Sequence, residues 1–101
     1  MKYLFSSRLW RWDGAATSWY FLTVPQNISD EIKDISSGLP RKGFGSVRVK
    51  VTIGNSVWDA SIFPDSKSSC YLLPVKATVR KAESIDDGST LQVALLLKDI
   101  T

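Results

Sequence analysis

Histidine is absent from the 101 residues of this chain, and cysteine occurs once, as Cys70. Without histidine the chain can form neither a Ser-His-Asp nor a Cys-His catalytic group, and imidazole metal sites are excluded. A single cysteine also excludes Cys-rich zinc sites and any disulfide within the chain. Because no histidine can activate Cys70, we interpret it as a packed or half-exposed thiol. We therefore predict no catalytic residue, no metal site and no cofactor.

An enzyme that works without histidine, through lysine or aspartate, stays open as a second alternative. Ser61 or Ser69 could pair with Lys76, because a desolvated lysine can act as a base. Neither serine follows a glycine-framed turn of the kind that exposes a nucleophile. The aspartates show no calcium-loop spacing, and no glycine motif for binding phosphate occurs. A lysine or carboxylate with a perturbed pKa in a closed pocket would favour this alternative.

Long apolar runs are also absent, and no segment approaches the roughly 18 residues that a membrane-spanning helix needs. Only three apolar residues follow Lys2 in succession, which is too short for the core of a signal peptide. A single unpaired cysteine fits a reducing compartment. These features predict a cytoplasmic protein that makes no contact with a membrane.

The chain does have an ordinary globular composition, with 44% hydrophobic and 23% charged residues. A chain of 101 residues allows one hydrophobic core and no more. No linker, low-complexity segment or repeat interrupts it. We predict a single domain over residues 1–101.

Alternation of apolar and polar residues predicts six β-strands, at 3–12, 18–24, 47–53, 56–63, 69–73 and 91–98. Two short helices are predicted at 28–37, with Asn27 as its cap and Gly38 after its last turn, and at 75–82, with Pro74 at its start. The apolar stripe of the first helix includes Ile32 and Leu39. The residues predicted to face the core are Val47, Val49, Val51, Ile53, Leu91, Val93 and Leu95.

The resulting order of elements is ββαβββαβ. Six short strands with apolar inward faces favour a sheet that closes on itself, because closure removes unpaired edges. We therefore predict a mainly β fold, a closed six-stranded, largely antiparallel β-barrel whose ends are plugged by the two short helices. A β-sandwich is the alternative.

Charge is mildly basic, with 13 Lys and Arg against 10 Asp and Glu and a net charge of +3. The first basic group lies where no acidic residue occurs between Asp34 and Asp59, and the second lies near residue 80. Basic faces can hold nucleic acid, but solvated cations also keep a domain soluble, and we favour the second interpretation. The residues of the two groups are Arg41, Lys42, Arg48, Lys50, Lys76, Arg80 and Lys81.

Tryptophan is abundant, with four in 101 residues. Strand alternation puts Trp10 and Trp12 on one face, opposite Phe5 and Leu9. Facing outward, the two tryptophans can stack a base or another flat ligand. Covered by the core or a partner chain, they contribute buried apolar area, which is the interpretation we favour. The candidate contacts for a ligand or for nucleic acid are Trp10, Trp12, Arg48, Lys50, Lys76, Arg80 and Lys81.

Arg80 is expected to be mainly structural. The second predicted helix turns Val75 and Val79 inward, so the Arg80 side chain projects from the rim of the barrel. There it can bridge the carboxylates of Glu83 or 86–87, or carbonyls at the helix end. The competing hypothesis has Arg80 bind phosphate together with the two neighbouring lysines.

Several motifs follow one another along nearly the whole chain. They are Leu9-Trp10-x-Trp12-x-Gly14, Trp19-Tyr20-Phe21, Pro25, Gly43-Phe44-Gly45-Ser46-Val47, Trp58 with Ser61-Ile62-Phe63-Pro64, Tyr71-Leu72-Leu73-Pro74-Val75-Lys76-x-x-Val79-Arg80, and Asp87-Gly88. In this order they resemble the bacterial domain-of-unknown-function family 1905. The resemblance implies a small closed β-barrel, found alone or attached to other small domains, with no established activity.

The C-terminal third carries a second pattern, Leu73-Pro74-x-Lys76-x-x-x-Arg80 followed by Asp87-Gly88-x-x-Leu91-x-Val93. It is similar to the half-barrel unit of AbrB-like transcription regulators and antitoxins, in which two chains interlock and present basic residues to DNA. This resemblance implies nucleic-acid binding. The predicted strands suffice to close a barrel within one chain, which disfavours the two-chain arrangement.

We therefore predict a non-enzymatic module that binds a protein or a small ligand, as a monomer or weak homodimer. A nucleic-acid-binding regulator is the first alternative.

Overall fold

A computed structural model describes residues 1–14, 16–37 and 45–98 of the chain. Within these ranges the chain forms seven strands and two helices. They are β1 (Lys2–Arg8), β2 (Trp10–Asp13), β3 (Ser18–Thr23), α1 (Gln26–Ser37), β4 (Val47–Ile53), β5 (Ser56–Asp65), β6 (Cys70–Pro74), α2 (Ala77–Ala82) and β7 (Thr90–Leu97). The prediction of a mainly β fold with two short helices is confirmed.

The predicted first strand is two strands, β1 and β2, separated at Leu9. The Leu9 side chain is fully buried. Its N–H donates to the carbonyl of Ser89 at 2.8 Å, and its carbonyl accepts from the N–H of Gly88 at 2.8 Å. These bonds tie the break to the connection between α2 and β7. Apolar alternation continues through the break, so the pattern alone gave one long strand.

All seven described strands belong to one antiparallel sheet with the order β1-β7-β4-β5-β6-β3-β2. The predicted closed six-stranded barrel is wrong, and so is the sandwich, because this sheet is an open half-barrel. Across residues 1–14, 16–37 and 45–98, no ladder joins β1 to β2 or β3. A side-chain bond links β1 to β3 instead, from Ser7 Oγ to the Thr23 carbonyl (2.8 Å). Within the β2–β3 pair, Trp10 Nε1 donates to Thr23 Oγ1 (2.9 Å).

The core lies on the inner face of the sheet. Val51 of β4 pairs with Leu95 of β7 on one side and with Trp58 of β5 on the other. All seven residues predicted to face the core are buried, so the predicted register is confirmed. Apolar burial at about 25 cal/mol per Å² makes this face the main stabilising feature of the domain.

Helix α1 begins at Gln26, two residues before the predicted start, so Asn27 lies inside the helix. Its predicted residues Gly38 and Leu39 lie outside the described residues. Helix α2 begins at Ala77 instead of residue 75. The reason is that the N–H of Val75 donates to the carbonyl of Tyr20 in β3 at 2.9 Å, which keeps the preceding chain extended. Neither described helix is long and apolar enough to cross a membrane.

Ser29 connects α1 to the sheet through side-chain hydrogen bonds. Its side chain is buried, and Oγ donates to the carbonyl of Val24 at 2.9 Å while accepting from the N–H of Tyr71 at 3.0 Å. Both backbone partners would be left unpaired in the interior without this hydroxyl. A buried unpaired donor or acceptor costs about 1–3 kcal/mol.

We predict that Ser29→Ala lowers the free energy of unfolding by about 2–3 kcal/mol, because two buried backbone groups lose their partner. Urea unfolding followed by circular dichroism measures the change. Ser37→Ala is the control, since Ser37 lies on the same helix, is exposed, and bonds locally to the carbonyl of Asp34. Equal stability of the two variants would contradict this role of Ser29.

Candidate functional site

The outer face of the sheet carries the exposed aromatic residues. Trp12 of β2 pairs with Trp19 of β3, and Trp10 pairs with Phe21 in the same ladder. Because side chains alternate along a strand and Leu22 is fully buried, these two pairs point outward. Trp10 and Trp12 thus share one face as predicted, but that face is outside the core, so the interpretation of these two residues as core is wrong.

Exposure differs among these aromatic side chains. Trp12 is 52% exposed, Trp19 51% and Phe63 of β5 42%. Trp10 is half-buried, and its ring lies 5.1 Å from that of Phe21, tilted by 37°. The rings of Trp19 and Phe21 are stacked, with centroids 6.5 Å apart and planes 13° apart. Phe21 therefore lies beside both Trp10 and Trp19 on the outer face.

The outward side chains of β2, β3, β5 and β6 form a groove of about 730 Å³, which we call the aromatic groove. Asp65 and Lys67 provide its charged groups, and the Asp65 carboxylate accepts a hydrogen bond from Ser68 Oγ at 2.8 Å. The lining residues are Trp10, Trp12, Trp19, Phe21, Phe63, Pro64, Asp65, Lys67, Leu72 and Pro74.

A second cavity of about 650 Å³ lies between β3, β5 and the start of α2, and we call it the Arg80 cavity. It shares Trp19, Phe63 and Pro74 with the aromatic groove, so the two adjoin. Its lining also includes Tyr20, Trp58, Asp59, Ser61, Lys76 and Arg80.

Arg80 is held in place by two contacts. Its Nη1 donates to the carbonyl of Val75 at 2.8 Å, and its guanidinium carbon lies 3.7 Å from the centre of the Tyr20 ring. The expected partners differ, because the Glu83 carboxylate instead accepts from Ser56 Oγ at 2.7 Å. The Asp86 carboxylate accepts from the N–H of the next residue at 2.8 Å. Arg80 thus connects α2 to β3 instead of to the following turn.

The remaining basic candidates lie elsewhere. Arg48 and Lys50 are exposed on the outer face of β4, and Lys81 is exposed on α2. Three strands separate β4 from β2 in the sheet order. Four strand spacings of about 4.8 Å put roughly 19 Å between the β4 cations and the tryptophans of β2. Arg41 and Lys42 lie outside the described residues.

Asp59 of β5 lies beside the basic residues of β4. It pairs with Lys50 across the ladder, and Lys98 Nζ lies 2.9 Å from its carboxylate. The hydrogen bond from Lys98 lowers the pKa of Asp59, and the charges of Lys50 and Arg48 lower it further. Asp59 therefore stays ionised and offsets part of the positive charge around it.

The hypothesis of a histidine-free enzyme gains no geometric support. Ser61 and Lys76 both line the Arg80 cavity, but no hydrogen bond joins them among the described residues. Ser69 lies near Gln26, whose amide donates to its carbonyl at 3.2 Å. Cys70 is buried and donates to Gln26 Oε1 at 3.4 Å, as expected for a packed thiol. In ranges 1–14, 16–37 and 45–98, no three acidic or cysteine residues are grouped as metal ligands.

Sequence reasoning missed Trp19 and Phe63 as site residues. Trp19 could have been found from the sequence, because the turn between β2 and β3 sets the register that pairs Trp19 with Trp12. Phe63 lies in the same groove as Trp19 because β6 is placed between β5 and β3. No local sequence pattern predicts that strand order.

An open antiparallel half-barrel with an aromatic outer groove defines the structural class of this small β domain. The chain belongs to the family described as "Domain of unknown function (DUF1905)", whose profile matches residues 5–95. The predicted resemblance to this family is confirmed. The AbrB-like similarity of the C-terminal third gains no support from this match. No curated protein matches the chain.

We predict that Arg80→Ala lowers the free energy of unfolding by about 1–3 kcal/mol, because it removes a hydrogen bond and a cation–π contact. Chemical unfolding measures the effect. Lys81→Ala is the matched control, since it removes one charge from the same helix at an exposed position. A change within 0.5 kcal/mol, roughly the range of ordinary surface substitutions, would contradict a structural role of Arg80.

Asp13 closes the hairpin that carries the exposed tryptophans. Its carboxylate accepts from Ser18 Oγ at 2.6 Å and from Arg11 Nε at 2.6 Å. The Ser18 bond, followed by the Arg11 bond, lowers the pKa of Asp13. Because the folded pKa is lowered, these bonds support the hairpin above that pKa and are lost as pH falls through it.

We predict that Ser18→Ala raises the pKa of Asp13 toward the ordinary value of about 3.9, because the largest stabilising bond to the carboxylate is lost. Carboxyl-carbon NMR titration measures the pKa directly. Thr17→Ala serves as control, because the bond that Thr17 makes to Gly14 uses only its backbone carbonyl. An unchanged pKa in Ser18→Ala would refute this account.

Proposed function

We propose that this domain is a non-enzymatic peptide-binding module, and that the aromatic groove holds a proline-rich segment of a partner protein. The observation that supports this most directly is the pair Trp12 and Trp19, half-exposed and opposite each other on the outer face. Contiguous exposed apolar surface is typical of interaction sites. The inner face carries the buried hydrophobic core, and neither of these two rings belongs to it.

The exposed tryptophans differ from Trp10 in the hydrogen bonding of their indole N–H groups. The Trp10 indole N–H donates to Thr23 Oγ1 at 2.9 Å. The indole N–H groups of Trp12 and Trp19 donate to no acceptor in the part of the chain that the structure describes. The groove therefore offers flat ring surfaces beside two available donors. A polyproline II segment presents proline rings and unpaired carbonyls, and aromatic-lined grooves bind such segments with little loss of entropy.

Size and polarity favour a short segment over other ligands. Ten residues line the groove, whereas a standard interface between folded proteins takes about 20–30 residues on each side. This argues against a second copy of the chain. A saccharide or base is recognised through several polar groups. The charged groups in the lining of this groove are Asp65 and Lys67, and the Asp65 carboxylate already accepts a bond from Ser68.

We predict that a neutral proline-rich peptide binds the domain and that Trp12→Ala or Trp19→Ala weakens binding at least tenfold, about 1.4 kcal/mol. The loss of a stacking ring and an indole donor is the reason. Isothermal titration calorimetry measures the dissociation constants, and circular dichroism checks folding. Leu4→Ala is the control, because Leu4 is 72% exposed on the same sheet but does not line the groove.

Two results would overturn this function. One is the absence of binding by every member of a proline-rich peptide array at millimolar concentration. The other is tighter binding of single-stranded oligonucleotides, with an affinity that falls linearly with the logarithm of salt concentration. The second result would favour a nucleic-acid-binding domain that stacks bases on Trp12 and Trp19.

A further inference from the structure

We infer that the Arg80 cavity binds the carboxylate of an aspartate or glutamate in the same partner segment, a few residues from the prolines. This inference rests on the proposed peptide-binding function and specifies the partner further. It predicts a partner that combines an apolar, proline-rich part with one acidic residue.

Adjacency of the two surfaces is the first observation. Trp19, Phe63 and Pro74 belong to the lining of both, so the Arg80 cavity is the next surface that a segment crossing Trp19 out of the aromatic groove would meet. The cavity volume of about 650 Å³ exceeds what one acidic side chain fills, which leaves room for the adjoining backbone.

Charge is the second observation. Lys76 and Arg80 line the cavity, and the salt bridges found in the described ranges involve neither of them. Asp59 is the acidic residue of the lining, and Lys98 holds its carboxylate at 2.9 Å. The two cations are therefore available to an incoming anion.

Preorganisation of Arg80 is the third observation. Its bond to the Val75 carbonyl and its position over the Tyr20 ring fix the guanidinium plane. Both contacts leave the edge formed by Nε and Nη2 without a protein acceptor among the described residues. Two parallel N–H donors on one edge match the two oxygens of a carboxylate. A doubly charged phosphate would be repelled more strongly by Asp59, which favours the carboxylate.

Spacing along the partner follows from the sheet. Three strand steps of about 4.8 Å separate β2 from β5, or roughly 14 Å across the combined surface. A polyproline II segment advances about 3.1 Å per residue, so the acidic residue should lie two to five residues from the prolines.

The test uses pairs of peptides that carry Glu or Gln at each of these four spacings after an identical proline-rich segment. Calorimetry on the full chain is expected to show at least one spacing where the Glu peptide binds about tenfold more tightly than the Gln peptide. That advantage should shrink at high salt, because it is electrostatic.

Variants then locate the effect. Lys76→Gln and Arg80→Lys should each remove most of the advantage of Glu, the second because it keeps the charge but loses the two-donor edge. Lys81→Gln is the matched control, since it removes the same charge from α2 without lining the cavity, and it should keep the full advantage. Should Arg80→Lys fail to fold, Lys76→Gln carries the test alone.

Failure of this inference is distinguishable from failure of the proposed function. If Glu and Gln peptides bind equally well at all spacings, the carboxylate site is refuted while peptide binding stands. An advantage of Glu that persists in Lys76→Gln refutes the site as well. If no proline-rich peptide binds at all, the proposed function and this inference fail together.

Discussion

The backbone bonds of Leu9 determine how the rest of the sheet is arranged. They tie the junction of β1 and β2 to Gly88 and Ser89, at the entrance to β7. On one side of this junction β1 pairs with β7, and on the other β2 pairs with β3. Two neighbouring strands thus become the opposite edges of one sheet. Leu9 itself is fully buried, so the junction is anchored by packing as well as by hydrogen bonds.

The aromatic groove lies on the outer face of the sheet, at the edge that β2 forms. Among the described strands, β2 has a ladder partner on one side only. The side-chain bond from Ser7 to the Thr23 carbonyl joins β1 to β3 without a ladder, whereas the bond from Trp10 to Thr23 lies within the β2–β3 pair. Short edge strands of this kind also limit unwanted pairing with other chains, because β2 is only four residues long.

The buried faces of β4 and β7 could be predicted from the sequence, because strict alternation in residues such as Val49 and Val93 encodes which side is buried. The break at Leu9 could not, since the alternation passes through it unchanged. The order of the strands could not be predicted from local pattern, so neither could the presence of Phe63 and Trp19 in one groove. The partners of Arg80 could not be predicted either, since the carboxylates of Glu83 and Asp86, which are near it in sequence, accept bonds from other groups. The bond to Val75 and the Tyr20 ring depend on how α2 is placed against β3.

The two faces of the sheet differ in chemistry in a way that core packing alone does not require. Aliphatic residues such as Leu22 and Leu73 fill the inside and are fully buried. Their neighbours on the outer face are Phe21 and Pro74, which pair with each other, and the Phe21 ring is stacked with that of the exposed Trp19. A solvated outer face would be expected to alternate with polar residues, as β4 does with Arg48 and Lys50. The aromatic side chains of the described outer face lie instead on β2, β3 and β5, and the adjoining cavity holds Arg80. That segregation fits a recognition surface with an apolar part and an anion-binding part, on a sheet whose opposite face already carries the hydrophobic core.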